Sequence, residues 1–254
     1  MTTEANPSVA SYSEANHSEV GAPIPPMPSP GVLIRTLGLI AMIAGMLVVI
    51  AYQVTDPIIK EKELLALEKA VFEVIPGADE KTATRVSYAL SSHGLKRLDD
   101  ESAADANLFA VYDSSGKLVG LAMQGAAQGY SDLVRTLFAY NPKCQCIDGL
   151  TVLKSTDTPG FGDKKTVEHN AKFMANFKDL SVEVTPDKKT IAHPIETVKF
   201  GTKTEPWQVD AMSGATFSSR GIGNGLRAAT DELVPLIQQH LSELESVPKT
   251  EVSK

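Results

Sequence analysis

From Val32 to Val54 the chain is almost entirely apolar, broken only by Arg35, Thr36 and Gln53. As a helix this run measures roughly 34 Å, enough to cross a bilayer with slight tilt. The uncharged part, Thr36 to Thr55, still reaches spanning length. Arg35 lies near enough to one end to snorkel to the headgroups, and Tyr52 suits the opposite interface. A buried core helix is the weaker reading. No small-x-small cleavage pattern follows, so the pattern predicts an uncleaved transmembrane anchor over 32–54 rather than a signal peptide. The tail before it, residues 1–31, is rich in Ser, Pro and Ala and is expected to be disordered.

Beyond the anchor, Thr55-Asp56-Pro57 reads as a helix start, with a capping residue and then proline at the first helical position. Ile58, Leu64, Leu65, Leu67, Val71, Phe72 and Ile75 form a helical stripe that Pro76-Gly77 ends. Residues 55–105 are thus a connecting helix and linker. From Leu108 the pattern turns to strands. Leu108–Tyr112 and Lys117–Gln124 flank the turn Asp113-Ser114-Ser115-Gly116, and Leu133–Tyr140 and Ile147–Leu153 follow. Thr156 to Gly162 carries a proline and two glycines and forms a tight loop. Helical spacing returns over 163–178, a short strand region lies at 181–200, and a final helix, kinked or interrupted at Pro235, runs to about Leu244. The expected fold is α+β, one transmembrane helix followed by a soluble body over 106–245 and a polar tail over 246–254.

Charge and cysteine content narrow the function. A net charge of −7 and a pI near 5.3 exclude bulk neutralisation of phosphates, so no nucleic-acid partner is expected. The two cysteines, Cys144 and Cys146, are too few for a disulfide scaffold or a four-thiolate cluster. A strained disulfide, ligation of a metal shared with a partner chain, or a loop without redox role all remain open for them. The five histidines show no metal-ligand spacing, and no Ser–His–Asp arrangement can be read. Arg35 precedes the anchor while Lys60, Lys62 and Lys69 follow it. That count favours a cytoplasmic body, but large domains translocate regardless of nearby charge, so the residues leave the side open.

The stretch Asp210-Ala211-Met212-Ser213-Gly214-Ala215-Thr216-Phe217-Ser218-Ser219-Arg220 joins small residues, hydroxyls and a helix start. Ser218 or Ser219 is the expected N-cap, which would put Thr216 just before a helix N-terminus, where free N–H groups favour a phosphate. Arg220 is a further phosphate partner by charge. Gly221-Ile222-Gly223-Asn224-Gly225-Leu226 fails as a dinucleotide fingerprint, because Leu226 takes the third glycine's place. Close helix packing explains those glycines better. Trp207 is nearby in sequence, and an ordinary aromatic role is preferred for it over packing on a cofactor ring.

Asp210, Ser213, Gly214, Ala215 and Thr216 match the pattern D-x-x-[ST]-G-A-T. In this the chain resembles the FMN-binding domain family found in the G subunit of the Rnf electron-transport complex. The same family includes the C subunit of the sodium-pumping NADH:quinone oxidoreductase. The anchor, the helix ended by Pro-Gly, Gly129-Tyr130 and the loop Thr158-Pro159-Gly160-Phe161-Gly162 extend the likeness over most of the chain. Asp157 stands where the family has Glu, and Phe161 where it has Leu. The resemblance implies FMN joined through its phosphate to Thr216, attached by a separate flavin transferase using FAD and magnesium. Ser213, Gly214, Ala215, Asp210, Asp157 and Thr158 would line or support the cofactor, with no catalytic or metal site.

It further implies a single-pass subunit of a bacterial inner-membrane complex, with the flavin domain (106–245) on the extracytoplasmic side. Such a subunit relays electrons between ferredoxin and NAD together with other membrane subunits, coupled to ion translocation, and has no autonomous activity. Two alternatives stand beside it: a free-standing anchored flavin reductase, and an anchored interaction module without flavin. The absence of an acid–base constellation near the motif weighs against the first, and intact Thr216 against the second.

Overall fold

The computed structural model describes residues 29–99 and 105–245. The chain divides in sequence between Asp56 and Pro57 into two units. The expected tails fall, up to residue 28 and from residue 246, outside the described residues.

From residue 30 onward the first unit is helical. Helix α1 (Pro30–Val74) begins in it, and the side chains from Val32 to Val54 are exposed throughout. This is the one helix among the described residues long and apolar enough to cross a membrane. Two threonine hydroxyls bond back within the helix: that of Thr36 donates to the Val32 carbonyl at 2.9 Å, and that of Thr55 donates to Ala51. The helix start expected at Thr55-Asp56-Pro57 is absent, because Pro57 lies inside α1. A proline removes one N–H donor from a helix but leaves the rest of the ladder able to continue.

The second unit, from Pro57, is built on a seven-stranded antiparallel sheet in the order β2-β1-β3-β4-β5-β6-β7. The strands are β1 (Thr84–Ser91), β2 (Gly94–Leu98), β3 (Leu108–Tyr112), β4 (Leu118–Gln128), β5 (Leu133–Asn141), β6 (Cys146–Lys154) and β7 (Leu180–Ser181). Side chains alternate between the two faces, and helices cover both. On one face Leu108, Ala110, Phe138 and Tyr140 join Ile222, Leu226 and Val234 of helix α4 (Thr216–Gln239). On the other, Phe109, Val111, Leu137 and Ala139 meet Ala70, Val71 and Val74 of α1. Burial from both sides explains why Leu108–Tyr112 reads as an unbroken apolar run.

Strands β1 and β2 fall in the stretch expected to be linker, so the sheet begins before residue 106. Val86, Tyr88 and Leu90 alternate inward, and Gly94, at a φ of 123°, closes the hairpin. The stretch 163–178 forms three short pieces rather than one helix: α2 (Lys164–His169), α3 (Ala171–Met174) and a 3₁₀ turn over Ala175–Phe177. The break falls at Asn170, whose side chain accepts from the Phe173 N–H at 3.1 Å. Region 181–200 contributes β8 (Glu196–Val198), which pairs in parallel with β9 (Gln208–Asp210). Helix α4 passes through Pro235 without interruption, with the ring buried in the helix face. Helix α5 (Leu241–Glu245) follows, held where the Tyr112 hydroxyl donates to the Leu244 carbonyl at 2.8 Å.

Cys144 and Cys146 are joined in a disulfide across the β5–β6 turn. Between them Gln145 adopts a φ of 51°. Its carbonyl accepts from the Val182 N–H and its side chain from the Val184 N–H, both at 2.9 Å.

The glycines of α4 bring helix and sheet into backbone contact. A Cβ on Gly125 of β4 would lie 2.7 Å from the Gly225 carbonyl oxygen, and one on Gly221 would lie 2.8 Å from that of Gln128. No side chain fits there. Gly125→Ala is expected to lower the unfolding free energy by about 1–3 kcal/mol, because the obstacle is backbone and cannot swing aside. The shift in urea midpoint at unchanged slope checks this.

Candidate functional site

Where α4 begins, three chain segments close around a cleft of about 370 Å³. The 157–162 loop contributes Asp157, Thr158, Phe161 and Gly162, the β4–β5 turn gives Tyr130, and the start of α4 gives Gly214 to Ser218.

Asp157 ties the three together. It is 4% exposed, and its carboxylate accepts from the Ser131 N–H at 2.8 Å, the Tyr130 N–H at 3.4 Å and the Ser218 hydroxyl. Glycine is required beside this contact, since a Cβ on Gly162 would lie 2.0 Å from Ser218 Oγ. A Cβ on Gly129 would sit 2.6 Å from Val134 Cγ2.

The helix starts differently from expectation. Ala215 is the N-cap residue and supplies no side-chain cap, so neither Ser218 nor Ser219 fills that place. Both serines lie inside the first turns, where other partners claim them. Ser218 donates to Asp157, while the Ser219 hydroxyl accepts from the Met212 N–H and donates to the Ala215 carbonyl, both at 2.9 Å. Thr216 is consequently the first helical residue, and it is exposed. Among the described residues the N–H groups of Thr216, Phe217 and Ser218 meet no acceptor. Such a terminus is suited to an anion. Gly214 holds a φ of 81° with open space around its Cβ position, so its backbone conformation is what calls for glycine.

Asp157, Thr158, Gly214, Ala215 and Thr216 thus come together, while Asp210 and Ser213 do not line the cleft. Asp210, at the end of β9, accepts from the Gly201 N–H at 2.7 Å and the Thr202 N–H at 3.3 Å, holding the preceding turn. Its own N–H donates to the buried Asn176 side chain at 3.0 Å. Ser213 is exposed in the turn before α4, and Arg220 is exposed on the helix. Trp207 stacks on His193 with ring centroids 4.0 Å apart, away from the cleft lining. No cluster able to hold a metal occurs among the described residues.

Sequence reasoning missed the aromatic rim. Tyr130, Phe161 and Phe217 are 68%, 62% and 65% exposed, and Tyr130 and Phe217 lie 6.3 Å apart at 57°. Phe217 adjoins the recognised motif, but only the fold shows it turned outward beside Tyr130. At the foot of the loop, Asp163 accepts from the Thr166 hydroxyl and the Gly160 N–H, which hold its carboxyl below the ordinary aspartate range.

Residues 129–231, which contain this whole cleft, match the family model described as FMN-binding domain. Over most of its length the chain is similar to the G subunit of the ion-translocating oxidoreductase complex of Methanosarcina acetivorans. The two are 26% identical across 78% of this chain and 92% of that protein. It is also similar to the G subunit of the Na⁺-translocating ferredoxin:NAD⁺ oxidoreductase complex of Acetobacterium woodii, with 27% identity over 62% of this chain and 64% of that one. Among solved structures, NqrC of Shewanella oneidensis shares the fold, with a TM-score of 0.53 at 19% identity over 72% of this chain and 98% of that one.

Two outcomes test the geometry. Ser218→Ala removes a hydroxyl donor from a buried carboxylate and is expected to cost about 1–3 kcal/mol in denaturant unfolding. Because the folded-state pKa of Asp163 is depressed, the loop interactions it makes persist above the unfolded value and fade only as pH falls through the lower, folded one. An NMR titration should place its midpoint below 3.8, and Thr166→Ala should raise it.

Proposed function

We propose that this chain is the FMN-carrying subunit of a membrane-bound redox complex of the Rnf type, relaying electrons between ferredoxin and NAD in a process coupled to ion translocation. The observation that carries this reading is Thr216. It is an exposed hydroxyl at the first position of α4, beside unpartnered N–H groups and within the cleft formed with Asp157 and Thr158. The matched FMN-binding domain model and the names of the relatives point the same way.

The residues present fit the cofactor. A phosphate esterified to Thr216 Oγ would meet the first-turn N–H groups and the positive end of the helix dipole. The aromatic rim of Tyr130, Phe161 and Phe217 offers apolar surface to a flat ring system. Gly214 and Ser213 form the turn that presents Thr216, and Ala215 caps the helix without a side chain that would occupy the anion's place. Thr158 borders the cleft, Asp157 positions the loops around it, and Asp210 positions the turn behind the motif. Bound here, FMN would supply electron exchange at its isoalloxazine, while the protein supplies position and electrostatics.

In this reading the 32–54 segment anchors the chain in the cytoplasmic membrane, and the flavin domain works on the extracytoplasmic side. A flavin transferase loads Thr216, and other membrane subunits deliver and receive the electrons. The chain would neither bind NAD nor move ions itself.

Co-expression with a flavin transferase tests the core of this. Intact-mass measurement should show one added FMN moiety on the wild type, visible as a fluorescent band in a denaturing gel. Thr216→Val should lose both signals while keeping its fold. Identical, non-fluorescent wild type and variant would overturn the proposal. Co-purification with the other subunits separates a complex component from a free-standing reductase.

A further inference from the structure

The flavin cleft makes no use of the disulfide at the β5–β6 turn. Strand β5 runs nine residues from Leu133, next to the Tyr130 turn, to Asn141, so the pair sits about 30 Å from the cleft along the strand. Its two sulfurs have different surroundings. Cys144 is exposed in the turn, whereas Cys146 opens β6 and is 4% exposed. A nucleophile in solution therefore meets the Cys144 sulfur first. Each sulfur also has an oxygen acceptor beside it. Cys144 Sγ lies 3.6 Å from the Asn141 carbonyl oxygen, and Cys146 Sγ lies 4.0 Å from Asp179 Oδ1. A disulfide sulfur carries no proton, so neither contact is a hydrogen bond while the bond is intact. In the dithiol both sulfurs are donors. The turn thus holds acceptors that only the reduced pair can use. Asp179, placed by a backbone φ of 58°, favours a thiol over a thiolate at Cys146, because a carboxylate accepts from the one and repels the other.

We infer that Cys144 and Cys146 form a thiol–disulfide exchange site, separate from the flavin cleft, whose substrate is an external dithiol. One thiolate of the dithiol attacks Cys144 Sγ. The bond to Cys146 breaks and its electron pair leaves on Cys146, which takes a proton from water and donates to Asp179. The dithiol's second thiolate then attacks its own sulfur in the mixed disulfide and releases Cys144, which is protonated in turn. The external dithiol ends as a disulfide and the pair as two thiols, with two electrons and two protons transferred in balance. Spacing sets the substrate class. After the first step Cys146 is only two residues from the mixed disulfide and attacks back before a second monothiol arrives. A dithiol brings its own second thiol and completes the exchange, because that attack is intramolecular as well. Asp179 acts as a positioning residue. The site does not rest on the flavin reading.

The test uses full-length, flavin-loaded protein in detergent without denaturant, treated with dithiothreitol or 2-mercaptoethanol at equal thiol concentration, alkylated and weighed. Dithiothreitol should expose two thiols with circular dichroism unchanged, and 2-mercaptoethanol should give roughly tenfold less reduction. A disulfide reagent such as dithiobis(nitrobenzoate) should label Cys146→Ser, which keeps Cys144, at least about tenfold faster than Cys144→Ser. Asp179→Gly suits the positive φ and removes the acceptor, so half-reduction should need roughly threefold more dithiothreitol. Asp179→Asn in the Cys144→Ser background should move alkylation of Cys146 to lower pH, a shift that a purely structural role would not produce. Thr216→Val should exchange as the wild type does, and its flavin fluorescence reports on the flavin reading alone. Reduction that requires denaturant, equal reduction by the two reagents, or equal labelling of the two single-cysteine variants would overturn the proposal. So would exchange that depends on Thr216, or Asp179 variants that match the wild type in both readouts.

Discussion

The distance between α4 and β4 sets the geometry of everything around the cleft. Gly221 and Gly225 on the helix lie against the backbone of Gln128 and Gly125 on the strand, with no room for a Cβ at Gly221 or Gly125. A helix seated this close starts its first turn directly above the end of β4 and the turn that follows it. Ser218 can then reach Asp157, and Asp157 can reach the backbone of Tyr130 and Ser131. A helix displaced by even one methyl group would open that chain of contacts at its centre. The glycines are thus part of the site even though those of α4 do not border it.

Within that frame, the electrostatics leave one group unanswered. The buried carboxylate of Asp157 has its donors from two loops and a hydroxyl, so its charge is satisfied locally. The start of α4 is the opposite case, because its capping position holds an alanine and its first N–H groups meet no acceptor among the described residues. Helix starts are ordinarily capped by Ser, Thr, Asp or Asn. Here serines are abundant but are drawn inward, and the uncapped terminus remains next to Thr216.

Much of this was legible from the residues, and the limits have physical causes. Strands β3 to β6 are readable because short apolar runs are bounded by turn residues, as at Asp113 to Gly116. The hairpin of β1 and β2 is hard to read from sequence, although Val86, Tyr88 and Leu90 alternate, because polar flanks dilute the signal. The loop at Asp157 and the motif at Thr216 were visible as separate patterns, and only the seating of α4 shows that they form one cleft. Asp210 belongs to the same sequence pattern but supports the turn at Gly201, a division of labour that spacing cannot express. Phe217 and Tyr130 were out of reach because a sequence does not tell whether an aromatic faces the core or solvent.

The bond between Cys144 and Cys146 bears on the question that basic-residue counting left open. Cytosolic thiols are kept reduced, while disulfides persist on the oxidising side of a membrane. In a cell the state of this bond would therefore report the compartment in which the body resides. Gln145, between the two sulfurs, holds the backbone at Val182 and Val184. A body kept in a reducing compartment would accordingly fold with that turn unclasped and carry two free thiols in place of the bond.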